Sequence, residues 1–302
     1  MHLYPEDVRA AFSMVLFSEE PIRAIQQFST PWLDVAFVLI TELGSRWILF
    51  ILAMLGYYLI DKRAAFFVMV ALFTSNVANG LLKDFFGLPR PSVELHKAGS
   101  SGNGFPSGHA QSSAAFWSGT ALRLRGFWIP LGALVIALVS FSRVYLGVHF
   151  IGDVLGGVAF GIIVVAIATL ASRAGVWARL DVRSKILLGL LVPTIAQGVL
   201  FVVAGRVFTV LGLLSGICVG YVLEGKWIRL ERPSTAAVFL IRLLVGGALL
   251  TGLEFTRDRI EYAPAAYGFV FLVGLIATVA IPWLFLRIEA RIPRRHAERS
   301  GV

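Results

Sequence analysis

Charge is scarce in this chain and cysteine is almost absent. Only 15% of the 302 residues are charged, 57% are hydrophobic, and the mean hydropathy is +0.80. That balance excludes an ordinary soluble domain and reads as a polytopic membrane protein. The single cysteine, Cys218, stands inside the apolar run VFTVLGLLSGICVGYVL. An intrachain disulfide and a thiolate zinc site are thereby ruled out, and packing is the expected role. The opening MHLYPEDVRAAFSMVLF lacks a basic stretch ahead of an apolar block, so no secretory signal is visible and the helices themselves must direct insertion. Acidic residues are too sparse in the polar loops for a two-metal carboxylate cluster, and neither a metal nor another cofactor is expected.

What the chain does have is long hydrophobic stretches. A membrane span needs about 20 mainly apolar residues. By that rule nine spans are expected, near 38–60, 64–86, 108–123, 127–147, 150–171, 186–204, 207–224, 235–253 and 265–286. Residues 1–30 mix apolar and charged positions at helical spacing and predict an interfacial helix. Lys and Arg fall mostly on one side of this arrangement, from Lys62 and Arg63 through Arg123, Arg125 and Arg183 to the arginine-rich tail. The positive-inside rule puts that side in the cytoplasm and the N-terminus outside, and an odd span number returns the C-terminus inside. The net charge of +9 is then explained by topology, and no nucleic-acid partner is expected.

Three polar stretches fall on the opposite, exoplasmic side. In KDFFGLPRP, Lys83 closes the second span and Arg90 is held out of helix between Pro89 and Pro91. In GSSGNGFPSGHA, a glycine-rich run enters the third span at Ser107, Gly108 and His109, where free N–H groups and the helix dipole favour an anion. In SRVYLGVHFIGD, Arg143 is followed by His149 and, one helical turn later, by Asp153. Taken singly, each has an ordinary reading as a snorkelling cation, a flexible connector or a local helix pair. Together, three cations and bare N–H groups suit a phosphate, because guanidinium forks match its oxygens. Two histidines suit attack on phosphorus and protonation of the departing oxygen, with a carboxylate to orient the attacker. Residue chemistry alone leaves open which histidine attacks.

K-x6-RP at Lys83, Arg90 and Pro91, PSGH at Pro106 to His109, and SR-x5-H-x3-D at Ser142, Arg143, His149 and Asp153 resemble the three motifs of the type 2 phosphatidic acid phosphatase superfamily. The resemblance covers roughly residues 30 to 172. It implies that His149 is the nucleophile and forms a phosphohistidine, that Asp153 is its partner, and that His109 is the acid for the leaving group. Lys83, Arg90, Ser107, Gly108 and Arg143 would hold the phosphoryl oxygens.

The expected fold is an all-α, polytopic transmembrane bundle of about nine spans. Its parts are an N-terminal segment (1–30), a six-helix phosphatase core (31–172) and a C-terminal transmembrane extension of unassigned role (173–302). The expected activity is metal-independent hydrolysis of a lipid phosphate or diphosphate, such as polyprenyl diphosphate, phosphatidate or sphingoid-base phosphate, with the catalytic loops outside a plasma (inner) membrane. Three alternatives stay open: a sugar phosphatase resembling glucose-6-phosphatase, a lipid phosphotransferase, and a transporter. The transporter is disfavoured because its polar groups should lie near the bilayer midplane. Two pairings are also expected. Arg242, deep in the eighth span, should have a structural partner, and Glu42 with Arg46 should form an i, i+4 helix pair.

Overall fold

The computed structural model describes residues 15–205, 207–257 and 263–291. The first fourteen residues and the arginines beyond Arg291 lie outside the described residues. All regular elements described are helical: α1 (Glu20–Gln26), α2 (Pro31–Glu42), α3 (Arg46–Leu59), α4 (Lys62–Phe86), α5 (Gly108–Leu124), α6 (Trp128–Tyr145) and α7 (Ile151–Arg173), then α8 (Val182–Ala204), α9 (Thr209–Leu223), α10 (Ala236–Arg257), α11 (Ala263–Leu275) and α12 (Ile281–Glu289). Short 3-10, α- and π-helical turns join some of them.

The protein is a multi-pass integral membrane protein, and the expected nine spans are not confirmed. Among the described residues six helices can cross a membrane by length and composition, or seven if α2 and α3, bent by 53° at Leu43–Ser45, count as one span. Composition accounts for one of the differences. Helix α5 is 17 residues long and carries His109, Gln111, Ser112 and Ser113 in its first turns. The break at Leu43–Ser45 places Glu42 at the end of α2 and Arg46 at the start of α3.

The described residues form two compact units, one within 15–53 and 63–179, the other within 54–62 and 180–291. In the first, polar side chains knit α4 to α5. Asn79 Nδ2 donates to Gln111 Oε1 at 2.8 Å, and Gln111 Nε2 donates to the Ser75 carbonyl at 2.9 Å. Inside an apolar bundle such groups must be paired, because an unsatisfied amide costs several kcal/mol, roughly 2–7, depending on reference state. Glycines let α5 reach α7. A Cβ on Gly157 would fall 2.6 Å from the Ser107 oxygen, and one on Gly161 would fall 2.5 Å from the Gln111 oxygen. The start of α5 is thereby drawn against the start of α7.

The described part of the expected interfacial segment packs into this unit. Ile22 is buried with Leu95, Ala110, Val144 and Val154, and the Phe17 ring occupies the space a Cβ on Gly152 would need.

In the second unit Arg242 is 2% exposed and bridges Glu289 through Nε at 2.7 Å and Nη2 at 3.0 Å, while Nη1 donates to the Tyr58 and Glu231 carbonyls. The expectation of a structural partner is met, since each nitrogen of the guanidinium has an acceptor. Glu224, fully buried, likewise accepts from Tyr57 Oη and Lys62 Nζ.

Candidate active site

At the start of α7 the sequence HFIGD dictates a cap. Asp153 is the third helical residue, and its Oδ2 accepts from the backbone N–H of Phe150 at 3.0 Å. The same oxygen lies 3.2 Å from His149 Nδ1. On the other edge of the ring, Arg90 Nη1 is 3.0 Å from His149 Nε2. A guanidinium only donates, so Nε2 carries the lone pair and Nδ1 carries the proton that Asp153 accepts. The ring is therefore held in one tautomer with its basic nitrogen toward the cation. His149 is 2% exposed and Asp153 wholly buried. Burial first, and then the charges of Arg90, Arg143 and Lys83, hold the imidazole well below its ordinary value of 6.5. It is neutral at neutral pH.

The cations reach this point from three elements. Arg90 is set by the glycine-rich loop, with Nε donating to the Gly102 carbonyl and Nη2 to that of Ser101, both at 2.9 Å, while Nη1 also donates to Val148 at 2.7 Å. Lys83, in the last turn of α4, donates to the Asn103 and Gly104 carbonyls. The loop cannot carry a side chain at Gly104, where a Cβ would come 2.5 Å from the Pro89 oxygen and 3.1 Å from Asp153 Oδ2. Arg143, 5% exposed, donates through Nη1 to Thr41 Oγ1 at 2.9 Å, and its Nε has no partner.

Ser107 caps α5. Its N–H donates to the Asp153 carbonyl at 2.9 Å, which ties the two helix starts together, and its buried Oγ has no partner. Gly108 and His109 open the helix ahead of its first intrahelical bond, Gln111 N–H to Ser107. Gly44, at the α2–α3 bend, packs on the His109 backbone, and no hydrogen bond ties the His109 ring to another described residue.

His149, Asp153, Arg90 and Ser107 are thus in direct contact, and Lys83 joins them through the loop. Arg143 leads by its own carbonyl, which accepts from Val148, into the turn that carries His149. Unsatisfied donors at Arg143 Nε and Ser107 Oγ, beside helix-start N–H groups, suit an oxyanion. Among the described residues no three His, Cys, Asp or Glu side chains converge as metal ligands.

Several contributors went unrecognised in the sequence. Thr41 holds Arg143, and Asn79 and Gln111 set α5. The available signal was polarity, since Thr41 interrupts an apolar stretch and Asn79 and Gln111 stand in polar runs within helices.

Residues 64–177 match the family model of the PAP2 superfamily, and residues 208–293 match that of the PAP2 superfamily phosphatase transmembrane extension. The phosphatidylglycerophosphatase B of Bacillus subtilis is 32% identical over 150 residues, a match spanning 44% of this chain and 72% of that one. The chain belongs to the PAP2 superfamily. As a PAP2 protein it is a phosphatase. The lipid A 4'-phosphatase of Porphyromonas gingivalis is also 32% identical, over 152 residues covering 44% of this PAP2 chain and 64% of the relative. A crystal structure of a transmembrane PAP2-type phosphatidylglycerolphosphate phosphatase from Bacillus subtilis aligns with a TM-score of 0.47 at 24% identity, over 57% of this chain and 89% of that one. The three motifs fall within residues 83–153, inside the first matched region, and the second matched region lies in the C-terminal extension.

Proposed function

We infer that the protein hydrolyses a lipid phosphate or diphosphate through a phosphohistidine on His149, without a metal, at the exoplasmic face. The observation that carries this reading is the His149 ring, clamped between Asp153 and Arg90 with its lone pair on Nε2. Nε2 attacks phosphorus, the P–O bond to the leaving group breaks, and His109 gives its proton to the departing oxygen. Arg143, Lys83, Ser107 and the Gly108 N–H stabilise the charge on the phosphoryl oxygens, and Arg90 turns from Nε2 to the incoming phosphate. Water, deprotonated by His109, then attacks the phosphohistidine, breaks the P–N bond and releases phosphate. A bound phosphate dianion beside His109 favours the imidazolium needed for the first step.

Two observations support a lipid substrate. Relatives named for phosphatidylglycerophosphate, lipid A and dihydrosphingosine 1-phosphate all act on lipids by name. Several polar side chains of the 91–103 loop are also occupied internally. Lys97 binds Asp34, His96 meets the Pro91 carbonyl and Asn103 donates to Lys83. Little remains to hydrogen-bond a sugar ring, and rejecting analogues strongly requires such bonds. A lipid tail gains roughly 0.8 kcal/mol per buried CH₂ from the bilayer, so recognition of the phosphate suffices. In detergent micelles with excess EDTA, kcat/KM for long-chain lipid phosphates should exceed that for glucose 6-phosphate by at least about a hundredfold, or ~2.7 kcal/mol. Diluting the micelle surface at fixed bulk substrate should lower the rate. Equal efficiency on the sugar phosphate, with no dilution effect, would count for the sugar phosphatase, and loss of activity in EDTA would count against the metal-free step.

Orientation has its own test. Ser101 and Ser172 are both exposed. In a Cys218→Ala background a cysteine at 101 should react with an impermeant maleimide from outside intact cells, and one at 172 only after permeabilisation. The reverse pattern would invert the site.

A further inference from the structure

We propose that Gln26 and Asp34 are positioning residues of this site, which clamp the Arg90 loop to the Arg143–His149 turn and so set the spacing of Arg90 from His149. The proposal rests on the reading of His149 as nucleophile. Neither residue belongs to a phosphatase motif, and neither touches the phosphate site. Their contacts converge on the two stretches that carry it. Gln26 Nε2 donates to the Leu95 carbonyl, five residues past Arg90, and to the Tyr145 carbonyl, two past Arg143, both at 2.9 Å. Asp34 Oδ1 accepts from Tyr145 Oη at 2.6 Å, and Oδ2 accepts from Lys97 Nζ at 2.9 Å. Ser29 completes the knot, donating to Asp34 Oδ1 and accepting from Lys97 Nζ.

The stretches so joined already meet through the backbone. Lys97 N–H donates to the Leu146 carbonyl at 2.9 Å, and Gly147, at φ +69°, has no room for a Cβ because Leu95 O and Gln26 Nε2 fill the space. Further along, Arg90 Nη1 donates to Val148 and touches His149. Loop and turn would otherwise be joined only by those few contacts. The side chains from α1 and α2 make them one body, and an error of about 1 Å between reacting groups can cost on the order of 10²-fold in rate.

The test uses the full-length protein in micelles. Gln26→Glu keeps the size of the side chain but sets oxygens against two carbonyls, and Tyr145→Phe deletes one hydroxyl. Each should lower kcat/KM by about 10–100-fold, and Tyr145→Phe, which sets no charge against a carbonyl, should do so with a melting temperature close to wild type. The discriminating readout is the acid limb of the pH–rate profile. His149 faces Arg90, Arg143, Lys83, His109 and Asp153, and attack requires its neutral form. If Arg90 drifts away, one repelling cation is lost, the imidazole protonates more easily, and the limb moves to higher pH. Unchanged kcat/KM in both variants would overturn the proposal. So would a loss of activity with the limb unmoved, which would mark a merely structural role. A wild-type enzyme that carries no phosphate on His149 would instead sink the underlying reading.

Discussion

His149→Ala is expected to lose at least about 10⁴-fold in kcat/KM, the scale seen when a nucleophile is removed and only binding and electrostatics remain. Wild-type enzyme mixed with substrate and quenched should carry protein-bound phosphate that is acid-labile and base-stable, and the variant should carry none. The neighbouring Asp153→Asn should fall by on the order of 10³–10⁴, although it changes neither size nor shape. Asp153 Oδ2 accepts from His149 Nδ1 and from Phe150 N–H, so it selects the tautomer with its lone pair on Nε2. An amide can present its N–H₂ to Nδ1 instead, which moves the ring proton to Nε2 and blocks attack. In the wild type, burial and the nearby cations hold the imidazole below 6.5, so the acid limb of kcat/KM should lie below pH 6.5. Unimpaired turnover by His149→Ala would end the covalent mechanism.

His109→Ala should behave differently, and the difference identifies its role. Only departure of the leaving group and activation of water need its proton, so turnover of an alkyl phosphate should drop by about 10²–10⁴-fold. A phosphate ester with a good leaving group should still phosphorylate His149 at near the wild-type rate, and phosphoenzyme should accumulate because its hydrolysis lacks a base. A rapid quench with an aryl phosphate and with a lipid phosphate separates the two steps. If His109→Ala blocks trapping with both substrates equally, His109 serves attack or binding and the assignment of acid must change. The geometry is compatible with the proposed role. His109 stands in the first turn of α5, beside the cap Ser107 that is bonded to Asp153, and its ring is engaged with no described partner.

The sequence by itself determined the composition class, the helical character and the motif residues. Long apolar runs force helix, because backbone groups in lipid can be satisfied only within a helix or a closed barrel. Lys83, Arg90, Arg143, His149 and Asp153 were legible because charge in such a chain is costly and rare. The His149–Asp153 contact was also legible, since one turn of helix separates the two.

Other features depended on tertiary structure. The expected nine spans are not confirmed, because a length rule applied to apolar runs does not show a bend such as that at Leu43–Ser45, which belongs to the tertiary structure. The partner of Arg242 is Glu289, 47 residues away, and no periodicity connects them. The tautomer of His149 depends on Arg90, 59 residues earlier in the chain. Gln26 and Asp34 look like ordinary polar residues of an N-terminal segment until folding brings Leu95, Lys97 and Tyr145 beside them. Local sequence carries information over about one helical turn, and contacts between distant elements arise only when close packing, here permitted by Gly157 and Gly161, brings the helices together.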